Sequence, residues 1–172
     1  MNVHIGPLAP EYAGEALTVQ RAAYVVEAQR YHAPHIPPLT ETVAEVAADL
    51  GSPTVLAFGA WLGGRLVGSV RGRPDGERME ISRLSVAPDL QRRGIARRLL
   101  ATVEAAAPAG VRTFWLITGA TSEANLALYS HAGYAVVADT TDSAGVVLVV
   151  LERPRTAPGA RIPSALDTEG NA

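Results

Sequence analysis

Residues 79–107 read MEISRLSVAPDLQRRGIARRLLATVEAAA, and the rest of the chain is best understood outward from them. The stretch opens with apolar, β-prone residues, crosses a turn at Pro88, passes through Gln91-Arg92-Arg93-Gly94-Ile95-Ala96 and ends in a helical period. The predicted order is strand, tight loop, helix. Ile95, Leu99, Leu100, Val103 and Ala107 fall on one helical face, with Arg97, Arg98, Thr102 and Glu104 on the other, so the helix begins near Gly94.

The first turn of a helix leaves backbone N–H groups unpaired and carries the positive end of the macrodipole, so a loop entering over glycine can receive phosphate oxygens. Gly94 and Ala96 are small enough to let a diphosphate approach the main chain, and Arg92, Arg93, Arg97 and Arg98 add positive charge nearby. A basic, solvated helix start is the plainer account of the same residues.

Composition narrows the chemistry. A chain of 172 residues, 48% hydrophobic, is long enough for one domain with a packed core. Lys plus Arg is 15 against Asp plus Glu 17, so no global charge recruits nucleic acid or an anionic membrane, and any phosphate site must be local. Cysteine is absent, which excludes disulfides, thiolate metal sites and a Cys nucleophile. Lysine is absent too, which removes a Walker-type phosphate loop and Schiff-base chemistry. The opening MNVHIGPLAPEY has neither a basic start nor an apolar run, and the greasy stretch 146–151 is too short to span a bilayer, so the expectation is a cytoplasmic protein.

Outward from the central stretch, 2–6 reads as a first strand and 11–30 as a helix, while 31–38, with three prolines, reads as loop. Thr40 resembles an N-cap for a helix over 41–50 that stops at Gly51. Strands are predicted over 54–62 and 65–73 around the Gly63-Gly64 hairpin, with a turn at Asp75-Gly76 before the strand beginning at Met79. Beyond the central helix, 112–118 is β-prone, Ser122 opens a helix to about His131, and 134–140 with 146–152 form a terminal hairpin. Residues 1–153 make the domain. The Pro-, Gly- and Ala-rich stretch 154–172 is expected to be a mobile tail.

The run Leu84-Ser85-Val86-Ala87-Pro88 followed by Gln91-Arg92-Arg93-Gly94-Ile95-Ala96 resembles the acetyl-CoA signature of the GNAT N-acetyltransferase superfamily, Gln/Arg-x-x-Gly-x-Gly/Ala. Asn125-Leu126-Ala127-Leu128-Tyr129 followed by Gly133-Tyr134 is similar to a second block of that family in its Asn, Tyr and trailing Gly-Tyr. The likeness covers residues 3–153. It implies an α/β fold with a mixed central sheet of about seven strands splayed between the fourth and fifth, and about four helices. It also implies acetyl-CoA as cosubstrate, with its amide-bearing arm against the backbone of Leu84, Ser85 and Val86. Its diphosphate would lie over Gln91, Arg92, Arg93, Gly94, Ile95, Ala96 and Arg97, and Asn125 and Tyr129 would meet the arm and the thioester. Physically, a splay between parallel strands leaves unpaired N–H and C=O groups that such an arm can satisfy.

Acetyl transfer to an amine needs a deprotonated nucleophile and a protonated leaving thiolate. An alkylamine with pKa near ~10.4 is almost wholly protonated at neutral pH. Glu80, fourteen positions before Gly94, is the candidate base by that resemblance, and a strand Glu paired with Arg78 or Arg83 is the structural alternative. Tyr129 lies one helical turn after Asn125, and the resemblance gives it the general-acid role, with a helix aromatic packed on the sheet as the alternative. His4, His32, His35 and His131 fit no two-His zinc spacing, so no metal is expected. For the acceptor, Glu27, Tyr31, Asp139 and Asp142 could attract and orient a cationic amine, or be solvated surface groups.

The function expected is direct acetyl transfer from acetyl-CoA to a primary amine, the acceptor being a small molecule. The alternatives are a non-catalytic acyl-CoA-binding sensor and a protein N-terminal acetyltransferase. A homodimer is compatible with the edge strands of the terminal hairpin and with the habit of the resembled family.

Overall fold

The computed structural model describes residues 2–156. Seven strands, β1 His4–Pro7, β2 Leu56–Leu62, β3 Arg65–Asp75, β4 Arg78–Val86, β5 Thr113–Gly119, β6 Ala135–Thr141 and β7 Val147–Pro154, form one sheet in the order β1-β2-β3-β4-β5-β7-β6. Neighbours are antiparallel except β4 and β5, which run parallel. The helices are α1 Ala13–Arg30, α2 Pro37–Thr40, α3 Val43–Leu50, α4 Ile95–Ala105 and α5 Glu123–His131. This is the mixed seven-strand sheet expected. Of the tail expected over 154–172, Pro154 ends β7, the Arg155 amide donates to the Arg112 carbonyl at 2.7 Å, and residues from 157 onward lie outside those described.

Local chemistry explains most boundaries. Gly63 and Gly64, at φ of 55° and 87°, turn the β2–β3 hairpin as predicted. Two expectations on the helical side are corrected. Pro37 and Pro38 open the one-turn helix α2, since a first-turn residue has no intrahelical N–H bond to lose. The cap of α3 is Thr42, not Thr40. The Thr42 hydroxyl accepts the Glu45 amide at 3.2 Å, while the Glu45 carboxylate accepts the Thr42 amide at 2.7 Å, a reciprocal capping box.

Helix α4 presses on one face of the sheet, where Cβ atoms at Gly68 and Gly72 would stand 3.0 Å from Leu99 and 2.8 Å from Val103. Ile95, Leu99, Leu100 and Val103 are buried in the main core, as their spacing requires. Glu104 departs from the expected solvated face. It is buried, accepts the Tyr134 hydroxyl at 2.6 Å and pairs with Arg153 at 2.9 Å, which compensates a carboxylate the helical period alone would put in water. Helices α1 and α3 cover the opposite face, where Arg71 of β3 meets Gln20 and Asp49.

The feature that positions the site is a wedge. β4 and β5 pair only at Arg78–Thr113, Met79–Phe114 and Glu80–Trp115. Farther along, β4 stays bonded to β3 and β5 to β7, so the two strands part and their facing backbone groups are left unpaired. A bulge bends β4 inside this opening. Arg83 and Leu84 together face Val70, Arg83 takes a φ of +54°, and the Ser85 hydroxyl donates to the Arg83 carbonyl at 2.8 Å.

Candidate active site

Beyond β4 the chain makes a short 3-10 turn at Pro88–Leu90 and reaches Gly94, the N-cap of α4, at φ +80°. No side chain caps this helix. The first intrahelical bond is the Arg98 amide to the Gly94 carbonyl, so the amides of Ile95, Ala96 and Arg97 precede it without a helical partner. A Cβ at Gly94 would have nothing within 4 Å, so space opens directly above these amides. A diphosphate fits that combination of donors, room and helix dipole.

The residues predicted around it divide into groups. Arg92, Arg93 and Arg97 are exposed beside the helix start, with Arg92 at φ +61°. Gln91 donates its side-chain amide to the Val86 carbonyl at 3.1 Å and so braces the loop. The Ile95 side chain is buried in the core, which leaves only its backbone amide for a ligand, and Ala96 is half-buried. Arg98, expected as a cationic neighbour, turns away and donates to the Val3 carbonyl at 2.8 Å. Leu84 is half-buried, while Ser85 and Val86 are buried along the strand whose far edge is unpaired.

On the other side of the wedge, the Asn125 side chain reaches Thr118 of β5 at 3.4 Å. Tyr129 is 8% exposed and meets Tyr134 edge-to-face, ring centroids 5.9 Å apart. Tyr134 is itself anchored by Glu104, so the trailing Gly-Tyr of the second block supports the Tyr129 ring. Among the described residues, no hydrogen bond engages the Tyr129 hydroxyl. Burial pushes that phenol above its ordinary 10, helped by Tyr24 and the charge of Glu27 on α1. Tyr129 therefore lies within electrostatic reach of α1. Glu80 is half-buried at the vertex, beside Arg73 and Trp115, and no ion pair to Arg78 or Arg83 forms.

A buried polar network between α1 and the sheet escaped sequence reasoning. Arg71, 5% exposed, donates to Gln20 at 3.1 Å, Glu41 at 3.2 Å and Asp49 at 3.0 Å. Arg83, on the bulge, donates to both Glu41 oxygens at 3.2 Å, tying the strained strand to the residue that ends α2. These partners are scattered over 20–83, so no spacing announces them. The one signal is an arginine inside the otherwise small and apolar run LVGSVRG.

Half-burial raises the Glu41 carboxyl, but hydrogen bonds from Arg83 and Gln20 and the charges of Arg83 and Arg71 outweigh it and bring it down from 4.5 to about 2. A depressed folded value means that the stability from Glu41 is fully present above the unfolded value, near 4.5, and is lost as pH falls through about 2. Melting temperature should therefore drop across that window, and Glu41→Gln should flatten the drop while lowering stability at pH 7. Identical pH profiles for the two proteins would contradict this account.

Among the described residues no helix is long and apolar enough to cross a membrane, and no group of three His, Asp or Glu side chains could hold a metal ion. A comparison with curated protein sequences gives no match. Among solved structures, PaiA N-acetyltransferase from Thermoplasma acidophilum in complex with coenzyme A is similar over 90% of this chain and 100% of its own, at 17% identity and a TM-score of 0.74. The ribosomal-protein-S18-alanine N-acetyltransferase from Escherichia coli is similar over 94% and 99%, at 19% identity and 0.73. Arabidopsis thaliana NAA60 in complex with a bisubstrate analogue is similar over 89% and 98%, at 15% identity and 0.70. At these identities the likeness is one of fold. The family model described as Acetyltransferase (GNAT) family matches residues 22–134, and with the wedge, the uncapped α4 start and the two sequence blocks in place, the chain belongs to the GNAT acetyltransferase family.

Proposed function

We propose that this protein moves the acetyl group of acetyl-CoA to a primary amine on a small molecule, by direct transfer within a ternary complex. The observation that carries the proposal is a combination: an uncapped start of α4, an unpaired edge of β4 and, on α5, a tyrosine 8% exposed whose hydroxyl has no hydrogen-bond partner among the described residues. Coenzyme A would supply the thioester carbonyl and the leaving thiol. The amides of Ile95, Ala96 and Arg97, with the arginines around them, hold its diphosphate. The β4 edge from Leu84 to Val86 accepts its amide-bearing arm as an added strand, and Asn125 steadies that arm from the opposite wall.

Tyr129 supplies the proton that the departing sulfur takes. Its burial keeps the phenol protonated and so able to donate. Glu80, at the vertex with no arginine partner among the described residues, takes the amine's proton by way of a water. The chain has no cysteine to carry the acetyl group, which favours attack by the amine itself.

Incubation with acetyl-CoA and a metabolite extract, read by free-thiol release and by product mass increased by one acetyl group, tests this. A small-molecule amide product is the expected result. Coenzyme A binding with no turnover on any amine would leave a sensor, and acetylation confined to peptide N-termini would move the acceptor to proteins.

A further inference from the structure

Arg83 takes an unusual backbone conformation inside the opening. Its φ of +54° is left-handed, a setting that side-chain-bearing residues disfavour and that persists only where the surroundings hold it. It falls on the bulge, where Arg83 and Leu84 together face Val70, on the stretch of β4 that has already parted from β5. Leu84, Ser85 and Val86, the edge assigned to the cofactor's arm, follow directly. A bulge bends its strand and turns the residues after it, so the setting of Arg83 fixes the angle at which that edge meets the opening.

The hold comes from outside the sheet. Nε of Arg83 donates to Oε2 of Glu41 and Nη2 to Oε1, both at 3.2 Å, a two-pronged pair. Glu41 is itself firmly mounted. It closes the helical turn that Pro37 and Pro38 open, and Arg21 donates to its carbonyl at 2.8 Å. Gln20, 1% exposed, donates to Oε2 of Glu41 at 2.6 Å and to the Pro38 carbonyl at 2.9 Å. Compensation of the buried Arg71 charge does not depend on this contact. Arg71 also has Asp49 at 3.0 Å and Gln20 at 3.1 Å, whereas Glu41 is the one carboxylate paired with Arg83 among the described residues.

We propose that Glu41 is a positioning residue: through Arg83 it locks the β4 bulge in its left-handed turn and so presets the backbone edge of Leu84, Ser85 and Val86 for the amide-bearing arm of acetyl-CoA. Glu41 acts through the shape of the strand and not by contact with the cofactor. Without this grip the bulge holds the competent shape for only part of the time, and apparent affinity falls by that fraction, about tenfold for a residue released from the left-handed region. The proposal rests on the cofactor reading above and adds the device that keeps its strand in shape.

Calorimetric titration of coenzyme A into the native chain and four variants tests this. Glu41→Gln and Arg83→Ala should each bind about tenfold more weakly, while Arg83→Gly, which also lacks the guanidinium but adopts a positive φ freely, should stay within about threefold of native. Asp49→Asn breaks the same network at Arg71 and Arg73 without touching Arg83, so it should lower the melting temperature and leave the affinity within about twofold. Unchanged affinity in Glu41→Gln overturns the proposal. Equal losses in Arg83→Gly and Arg83→Ala also overturn it, because the guanidinium's own contacts would then decide binding. A loss in Asp49→Asn equal to that in Glu41→Gln does the same, by reducing Glu41 to a part in stability. A native chain that binds no coenzyme A would instead sink the cofactor reading.

Discussion

Replacing Tyr129 by phenylalanine should lower the single-turnover rate of acetyl transfer by about 10²–10⁴-fold, the range in which a positioned general acid contributes. The ring would stay. Its edge-to-face contact with Tyr134 at 5.9 Å and its place in the core do not depend on the hydroxyl. Because no hydrogen bond to that hydroxyl is made by the described residues, its removal leaves no partner stranded, and the melting temperature should be unchanged or slightly raised. The KM for acetyl-CoA should move little, since the phenol acts on the leaving sulfur rather than on the diphosphate or arm. Burial holds the Tyr129 phenol above its ordinary 10, so the native enzyme should show no alkaline loss of activity from this group below that value. A parental rate in the variant would remove Tyr129 from the reaction and return it to the core as a packing residue.

Replacing Gly94 by valine should weaken coenzyme A binding by about 100-fold, read by calorimetry. Two effects add. A φ of +80° costs a side-chain-bearing residue roughly 1–2 kcal/mol, and more for a β-branched one, so the loop would relax and re-aim the amides of the first α4 turn. The new methyl groups would also stand in the open space where the diphosphate approaches. No protein contact lies within 4 Å of that Cβ, so the stability loss should be the backbone term alone, a fall of about 2–4 °C per kcal/mol for a chain of this size. Gly94→Asn, which tolerates the left-handed region, should lose less stability while still hindering the ligand. Unchanged coenzyme A affinity in the valine variant would show that phosphate binds elsewhere.

Much of this architecture is written in local patterns. The period of Ile95, Leu99, Leu100 and Val103, the paired glycines of the β2–β3 turn and the prolines around α1 act within about ten residues, where propensity and hydrophobic alternation dominate. The structure departs from those patterns at one local and one distant contact. Thr40 and Thr42 are both plausible caps by composition, and only Thr42 has Glu45 three residues on to close the box. Glu104 looked like a solvated residue because the helical period carries no information about Tyr134 and Arg153, which come some thirty and fifty residues later.

By itself the sequence determined the strand–loop–helix at residues 79–107, because it follows from interactions between near neighbours in the chain, while the mixed sheet around it was implied by the resemblance of the two blocks to a known family. Only the tertiary structure decided which charges are free to act. Glu41, Asp49 and Glu152 are matched by arginines from distant strands, Glu27 pairs with Arg30 on its own helix at 3.9 Å, and Glu80 is left without one among the described residues. The bulge at Arg83, held in a left-handed conformation by its bonds to Glu41, belongs to the same category. Charge compensation depends on separation in space, and separation in space is what the order of residues leaves open until the chain has folded.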